Sequence, residues 1–201
     1  MVKRLFDIVF SAVVLLLLSP VFLILAILII KEDGRPVFFK QKRSGKHDTP
    51  FGMYKFRSMK VQQQKTSKEN PYNWTNGVPD DFVFKSSSSA NPNITKTGAF
   101  IRKYSLDELP QFFNVLKGEM SVIGPRPEIV EITRCYDGIQ KERLLVKPGI
   151  TGYAQANGRS DMNHGKKIKF DRYYVQNFSL WLDLKIFFKT IGQVFAGKGS
   201  V

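Results

Sequence analysis

Two adjacent carboxylates, Asp107 and Glu108, sit in the segment Ile101-Arg102-Lys103-Tyr104-Ser105-Leu106-Asp107-Glu108-Leu109-Pro110, with two cations just upstream. At the start of a helix such a pair can divide labour. One acid holds a divalent cation while the other attacks phosphorus. Nearby cations such as Arg102 and Lys103 then offset the phosphate charge that repels an anionic nucleophile. The same residues also read as a capping box, Ser105-x-x-Glu108, whose acids merely favour the helix N-terminus. Pro110 weighs against that structural role, because it disturbs the helix one turn in.

Two further segments supply groups that recognise anions and polar ligands. In Gly124-Pro125-Arg126-Pro127 a proline on each side fixes the backbone of one arginine, so little entropy is lost when the guanidinium clamps phosphate oxygens. A plain loop-to-helix junction with a solvated Arg126 is the alternative. The stretch from Lys147 to Arg159 is punctuated by Gly149, Gly152 and Gly158, which let the backbone approach a ligand. Its Thr151, Gln155, Asn157 and Arg159 offer hydrogen bonds suited to a nucleotide or sugar. A multi-turn connection without a ligand has the same composition.

The elements that must position these residues are a mixture of helix and strand, helix-rich. The pattern predicts strands over Val37–Gln41 and Phe51–Phe56 around the turn-rich Ser44-Gly45-Lys46-His47-Asp48. A helix is expected from near Ser105 to just before Gly118, another from Pro127, and two more over Lys166–Asn177 and Ser179–Phe195. From Lys60 to Pro92 the chain is polar and Ser/Asn/Pro-rich, which reads as a long surface excursion. In the last helix Lys185, Lys189 and Gln193 share one stripe beside a wide apolar arc. Both a core helix and an amphipathic interfacial helix have that pattern.

Ahead of all this, Ile8 to Ile30 is apolar apart from Ser11, Ser19 and Pro20. As a helix the run reaches about 35 Å, enough for a bilayer core. The small-residue cleavage site of a secretory signal is missing, since Lys31-Glu32-Asp33 follows directly. Basic residues lie on both flanks: Lys3 and Arg4 before, Lys31, Arg35, Lys40, Lys42 and Arg43 after. That gives a spanning helix no clear orientation. A helix that enters, breaks at Ser19-Pro20 and returns would keep both flanks on one side, although proline-kinked helices also span. The chain therefore divides into a membrane-embedded segment, 1–33, and a catalytic domain, 34–201.

Composition restricts the partners. The 201 residues carry 31 Lys and Arg against 17 Asp and Glu, a formal charge of +14, which favours nucleic acid, anionic lipid or phosphorylated small molecules. The single cysteine, Cys135, excludes an internal disulfide, and with only two histidines a zinc site is disfavoured. Any metal would be a hard cation held by carboxylates and phosphates, magnesium or manganese. The run Gly192-Gln-Val-Phe-Ala-Gly197-Lys198-Gly199 nearly matches a P-loop. It lacks the hydroxyl residue for magnesium and has no room for a following helix.

In order and spacing, nearly the whole chain resembles the bacterial sugar transferases, the monotopic phosphoglycosyl transferases that use polyprenyl phosphate. The resemblance rests on Lys3-Arg4-Leu5-Phe6-Asp7, Ser19-Pro20, Tyr54-Lys55-Phe56-Arg57-Ser58-Met59 and Ser105-Leu106-Asp107-Glu108-Leu109-Pro110-Gln111. It continues through Asn114-Val115-Leu116-Lys117-Gly118-Glu119-Met120-Ser121, Gly124-Pro125-Arg126-Pro127, Lys147-Pro148-Gly149-Ile150-Thr151-Gly152, Asp171 with Tyr173-Tyr174-Val175, and Asp183-Leu184-Lys185.

The resemblance implies a re-entrant helix broken at Ser19 and Pro20, packed with a small catalytic domain on the cytoplasmic face of the bacterial inner membrane. It implies a UDP-sugar donor and a polyprenyl (undecaprenyl) phosphate acceptor. Asp107 would be the nucleophile, forming a phosphosugar–enzyme intermediate and releasing UMP. Glu108 would bind magnesium, while Arg102 and Arg126 hold phosphates. Lys55, Arg57 and Asp171, which fall in its motifs, join the substrate-binding candidates. The excursion from Lys60 to Pro92 is longer than in the shortest members. Two rival classes share the charge: a non-enzymatic basic protein on the membrane surface, and a membrane-attached nucleic-acid binder. The first has no use for Asp107, Glu108 and Arg126 together, and the chain contains no recognised nucleic-acid module.

Overall fold

The apolar run near the N-terminus folds as two helices, α1 (Val2–Leu17) and α2 (Ser19–Asp33), bent by 59° at the break. Pro20 explains the break, because its ring displaces the carbonyl one turn back and it has no N–H to donate. The Ser19 hydroxyl donates instead to the Leu16 carbonyl at 2.8 Å. The structure, a computed structural model, describes residues 1–60, 72–83, 91–158 and 162–195. Among these no single helix is long and apolar enough to cross a membrane, but α1 and α2 together have that length and composition.

Polar side chains fasten both ends of the bent pair to the same body. At the α1 end, Asp7 is buried and accepts the Val122 N–H at 2.9 Å and the Ser121 hydroxyl at 3.0 Å. Lys3 pairs with Asp183 at 2.7 Å. Arg4 donates to the Val115 and Leu116 carbonyls, which the end of a helix leaves without partners. At the α2 end, Arg57 donates to the carbonyls of Asp33, Gly34 and Arg35. Glu32 caps the next helix by accepting the N–H groups of Lys96 and Thr97, at 2.6 and 2.8 Å. The apolar outer faces between these anchors, including Leu16, Leu17, Leu23 and Ile24, are exposed.

After α2 comes an antiparallel hairpin, β1 (Phe38–Ser44) and β2 (Pro50–Phe56), in the register Phe38↔Phe56, Lys40↔Tyr54 and Ser44↔Pro50. Helix α3 (Lys96–Lys103) follows, with Thr95 as its cap. A 3-10 turn, Leu106–Glu108, leads into α4 (Gln111–Lys117), which Gly118 ends in a left-handed conformation. Strand β3 (Ser121–Ile123), α5 (Val130–Thr133) and α6 (Gly138–Lys141) come next, then β4 (Gly149–Thr151), which pairs parallel with β3. The described chain closes with α7 (Tyr153–Asn157), α8 (His164–Gln176) and α9 (Leu180–Phe195).

The hydrophobic interior has three parts. The largest joins Met53, Phe112, Val115, Met120, Val122, Tyr174 and Ile186, and Phe10, Val14 and Leu15 of α1 pack against it. A second gathers Val78, Ile132, Tyr136, Leu144 and Ile168, while a third joins Leu25 and Ile29 of α2 to Phe56 and Ile101. Helix α1 is thus built into the main core, not appended to it.

Several expectations from the sequence are corrected. No helix runs unbroken from Ser105, because Ser105 is left-handed (φ 53°) and only a 3-10 turn follows before α4. Pro127 does not open a helix; Ile129 is the cap of α5. The Lys147–Arg159 segment is not all loop, since it supplies β4 and α7. Glycine is needed there for close approach: a Cβ on Gly149 or Gly152 would come within 2.1 Å of the Gly124 backbone. Helix α3 was not anticipated. Of the excursion, residues 72–83 pack inward, with Trp74 between Tyr72 and Phe82 and with Val78 bonded through both backbone groups to Gln140. The serine run 86–89 lies outside the described residues.

Candidate active site

Asp107 and Glu108 are placed by three elements. The left-handed Ser105, a conformation that costs a non-glycine residue about 1–3 kcal/mol, separates α3 from the 3-10 turn that carries both acids. Strand β2 brings Lys55 across from them. Its position is set by the fully buried Asn114 of α4, which accepts the Tyr54 N–H at 3.0 Å and donates to the Gly52 carbonyl at 2.8 Å. The loop after β3 supplies Arg126.

These four residues form one cluster. The Lys55 ammonium lies 3.0 Å from Glu108 Oε1 and 3.4 Å from Asp107 Oδ2. Arg126 grips Glu108 with both terminal nitrogens, Nη2 on Oε1 and Nη1 on Oε2, the latter at 3.3 Å. Glu108 is therefore no capping-box partner; its oxygens face sideways toward two cations. Burial alone would raise its pKa, but Arg126 and Lys55 outweigh that and hold it at about 2. For Asp107 burial wins over Lys55, and its pKa lies above the usual aspartate value. Two neighbouring acids thus differ: one is a fixed anion, the other a partly desolvated carboxylate with less compensation. Arg126 remains 43% exposed along its side chain, so the cluster is open on that side.

A second charge cluster lies directly behind Arg126. Arg143 is buried and donates to the Arg126 carbonyl at 2.8 Å and to the Tyr136 hydroxyl at 2.7 Å. It pairs with Asp171 at 2.8 Å and approaches Glu128 at 3.8 Å. Glu128 also meets Lys167 at 2.8 Å and Arg43 at 3.6 Å. Burial would raise the Glu128 pKa, yet Lys167, Arg143 and Arg43 hold it at about 2. This network sets the backbone on which Arg126 stands. Sequence reasoning did not single out Glu128, Arg143 or Lys167, and gave Asn114 no role.

The remaining candidates are dispersed. Arg57 is buried against the end of α2, and Asp171 is fully buried on Arg143, so neither presents its charge at an open surface. Arg102 stands in the last turn of α3, shortly before the acids. Thr151 shares a hydrogen bond with Thr190 of α9 at 2.8 Å. Gln155 donates to the Ile150 carbonyl and Asn157 to that of Tyr153. Arg159 lies outside the described residues. Ser19 and Pro20 stand at the break between α1 and α2.

No group of three or more His, Cys, Asp and Glu side chains suited to a metal occurs among the described residues. A hard cation that takes one or two carboxylates and completes its shell with ligand phosphates and water needs no such group. Glu108 Oε2, with a single long contact to Arg126, and the adjacent Asp107 fit that smaller donor set.

Comparison with known proteins places the whole chain beside one family. A family model described as bacterial sugar transferase matches residues 1–197. The uncharacterized sugar transferase EpsL of Bacillus subtilis is 43% identical over 98% of the chain and 89% of its own length. The undecaprenyl-phosphate galactose phosphotransferase of Salmonella typhimurium is 41% identical over 98% of the chain. The UDP-glucose:undecaprenyl-phosphate glucose-1-phosphate transferase of Klebsiella pneumoniae is 40% identical over the same share. The chain spans 41% of the length of each of these last two.

Proposed function

The chain belongs to the bacterial sugar transferase family, and on that premise we propose that it moves a sugar 1-phosphate from a UDP-sugar to undecaprenyl phosphate. The observation that carries this reading is the Lys55–Asp107–Glu108–Arg126 cluster, in which one acid is locked as an anion between two cations and its neighbour is desolvated. Asp107 is the nucleophile. Its carboxylate oxygen attacks the phosphorus that bears the sugar, the bond to the bridging oxygen breaks, and UMP leaves with that electron pair. An oxygen of undecaprenyl phosphate then attacks the same phosphorus. The bond to Asp107 breaks, the carboxylate is restored, and undecaprenyl-diphosphate-sugar departs.

Arg126 and Lys55 bind the diphosphate oxygens and limit their repulsion of Asp107. Arg102, in the last turn of α3, adds positive charge for phosphate binding. Magnesium or manganese, held by Glu108 with Asp107 nearby, would supply further neutralisation of phosphate charge. The Arg143 network holds the Arg126 backbone, which reduces the reorganisation needed when phosphate arrives.

The bent α1–α2 pair is the re-entrant membrane segment of this reading, with the catalytic part on the cytoplasmic face of the inner membrane. Its support is that both ends dock on one body, through Lys3, Arg4 and Asp7 at one end and Arg57 and Glu32 at the other. Cysteines placed at Val2 and Gly34, after Cys135 is replaced, should react with an impermeant reagent from the same face. Labelling from opposite faces means a spanning pair.

The chemical step is tested by mass spectrometry of enzyme quenched with UDP-sugar in the absence of lipid acceptor. The expected result is a sugar-phosphate adduct on Asp107 that disappears when undecaprenyl phosphate is added, with UMP released in the first step. If neither adduct nor UMP forms without acceptor, the acceptor attacks the donor directly and Asp107 is not the nucleophile.

A further inference from the structure

Helices α7, α8 and α9 enclose a groove of about 260 Å³ that none of the chemistry above uses. Its walls include Tyr153, Asn157, Tyr173, Lys185 and Lys189, its floor includes Ile186, and no lining residue is acidic. The acids of the enclosing helices are spent elsewhere. Asp171, the one acid of α8, is paired with Arg143, and Asp183, the one acid of α9, is paired with Lys3. The Lys189 ammonium donates to Asn157 Oδ1. Since an ammonium has three donors, it retains others for a ligand. The groove thus carries positive charge that the fold does not neutralise.

What adjoins the groove narrows the ligand. On α9 the lysine stripe borders an exposed apolar strip formed by Trp181, Leu184 and Phe188, and the Lys185 ammonium lies 5.4 Å from the Trp181 ring. Lysine beside tryptophan and aliphatic side chains is the arrangement of a helix lying at a lipid–water boundary. Pockets that enclose drug-sized ligands run to roughly 300–1,000 Å³. This one is smaller and suits a single charged headgroup, not a whole nucleotide sugar.

We propose that the groove between α7, α8 and α9 is a site for an acidic phospholipid. Lys185 and Lys189 hold its phosphate, Tyr153 and Tyr173 flank the headgroup, and its acyl chains lie along Trp181, Leu184 and Phe188. The site is separate from Asp107 and serves a bilayer lipid that is not consumed. The inference rests on the membrane attachment proposed above, so the test must read attachment and headgroup preference separately.

Trp181 provides the probe, because bromine on an acyl chain quenches a nearby indole. The full chain carrying Trp74→Phe, which leaves Trp181 as its sole tryptophan, is reconstituted in phosphatidylcholine vesicles containing a minor fraction of brominated lipid. Brominated phosphatidylcholine should quench Trp181, which reports attachment. Brominated phosphatidylglycerol should be enriched at Trp181 over phosphatidylcholine by about fivefold per lysine. Lys185→Gln with Lys189→Gln should abolish that preference, while Lys42→Gln with Lys141→Gln, an equal loss of charge elsewhere, should retain most of it. Native mass spectrometry of the wild-type chain, counting retained phosphatidylglycerol against phosphatidylcholine, gives the same comparison without Trp74→Phe. Equal quenching by the two lipids, equal loss in both double variants, or displacement of phosphatidylglycerol by UDP overturns the site while leaving attachment intact. Absence of quenching by either lipid overturns both.

Discussion

The two charge clusters that meet at Arg126 are built from the same groups and lead different lives. Around Glu108, Lys55 and Arg126 form an arrangement with one side open, and Arg126 stays 43% exposed. Around Glu128 and Asp171, Arg143 is sealed in with its side chain 1% exposed, while Lys167 and Arg43 close the cluster from its rim at 20% and 18%. Both clusters hold a glutamate at a pKa of about 2. Ion pairing with a shifted pKa is therefore no mark of chemistry by itself. What separates the clusters is access, together with a second, poorly compensated acid in the open one. The sealed cluster also holds an acid whose pKa burial raises, Asp171, but it is paired with Arg143 and fully buried.

The comparison can be broken most sharply at Asp107. Asp107→Asn should lower turnover by about 10⁴-fold, or roughly 5.5 kcal/mol in transition-state terms. Its folding stability at pH 7 should be unchanged or slightly higher. The sign follows from the raised pKa: the ionised form disfavours the fold above that pKa, and asparagine removes the charge. A lowered thermal midpoint would make Asp107 a structural acid like those in the sealed cluster.

Arg143→Met should do the reverse. It leaves the buried Asp171 without its ion-pair partner and removes one of three cations around Glu128, which costs about 3–5 kcal/mol in denaturant unfolding of the full chain in micelles. Activity of the fraction that remains folded should fall less than in Asp107→Asn, because Arg126 keeps its side chain and loses only a backbone restraint.

Arg126→Met sharpens the boundary between the clusters. Removal of one charge-stabilising donor set should cost about 10²-fold in activity. Stability should fall by about 1–2 kcal/mol, less than for Arg143→Met, since Arg126 is partly exposed and Glu108 keeps Lys55. A loss of several kcal/mol would place Arg126 with the sealed network.

The smallest expected effect is a shift in pH dependence. As the proposed nucleophile, Asp107 would attack only when ionised, so the rate should be kept above its pKa and lost as pH falls through it. Burial raises that pKa and Lys55 pulls it down. Lys55→Met should therefore move the acid limb of single-turnover UMP release to higher pH. An unmoved or lowered limb would mean that the titrating group is not Asp107.

The open cluster was legible in the sequence because most of its parts carry local signatures, adjacent acids at Asp107 and Glu108 and an arginine between prolines, while Lys55 entered through the family motif Tyr54-Lys55-Phe56-Arg57-Ser58-Met59. The sealed cluster had no such signature. Glu128, Arg143 and Asp171 stand far apart in the chain and become partners only when α8 folds over the 3-10 turn at Glu142–Leu145. Misreadings have similar causes. Ser105-x-x-Glu108 satisfies the capping-box pattern, but the left-handed Ser105 and the two lateral cations take Glu108 away from it. Helix α3 escaped notice because Glu32, in α2, supplies part of its cap. Strands β3 and β4 have three residues each, too few for alternation to register, and their pairing is fixed by glycine contacts across the Gly124 loop.

The ion pair between Lys3 and Asp183 has a consequence for synthesis. Its partners are 180 residues apart in the chain. At roughly 5–20 residues per second a ribosome needs about 10–40 seconds to make that interval. On the re-entrant reading proposed above, the first helix would embed its apolar face throughout that interval without completing its polar connections, and Asp7 waits for Val122 and Ser121 in the same way. On that reading, helix insertion and domain closure are separate events in time. A nascent chain arrested before α9 should be anchored yet sensitive to protease, with resistance gained only once Asp183 has emerged.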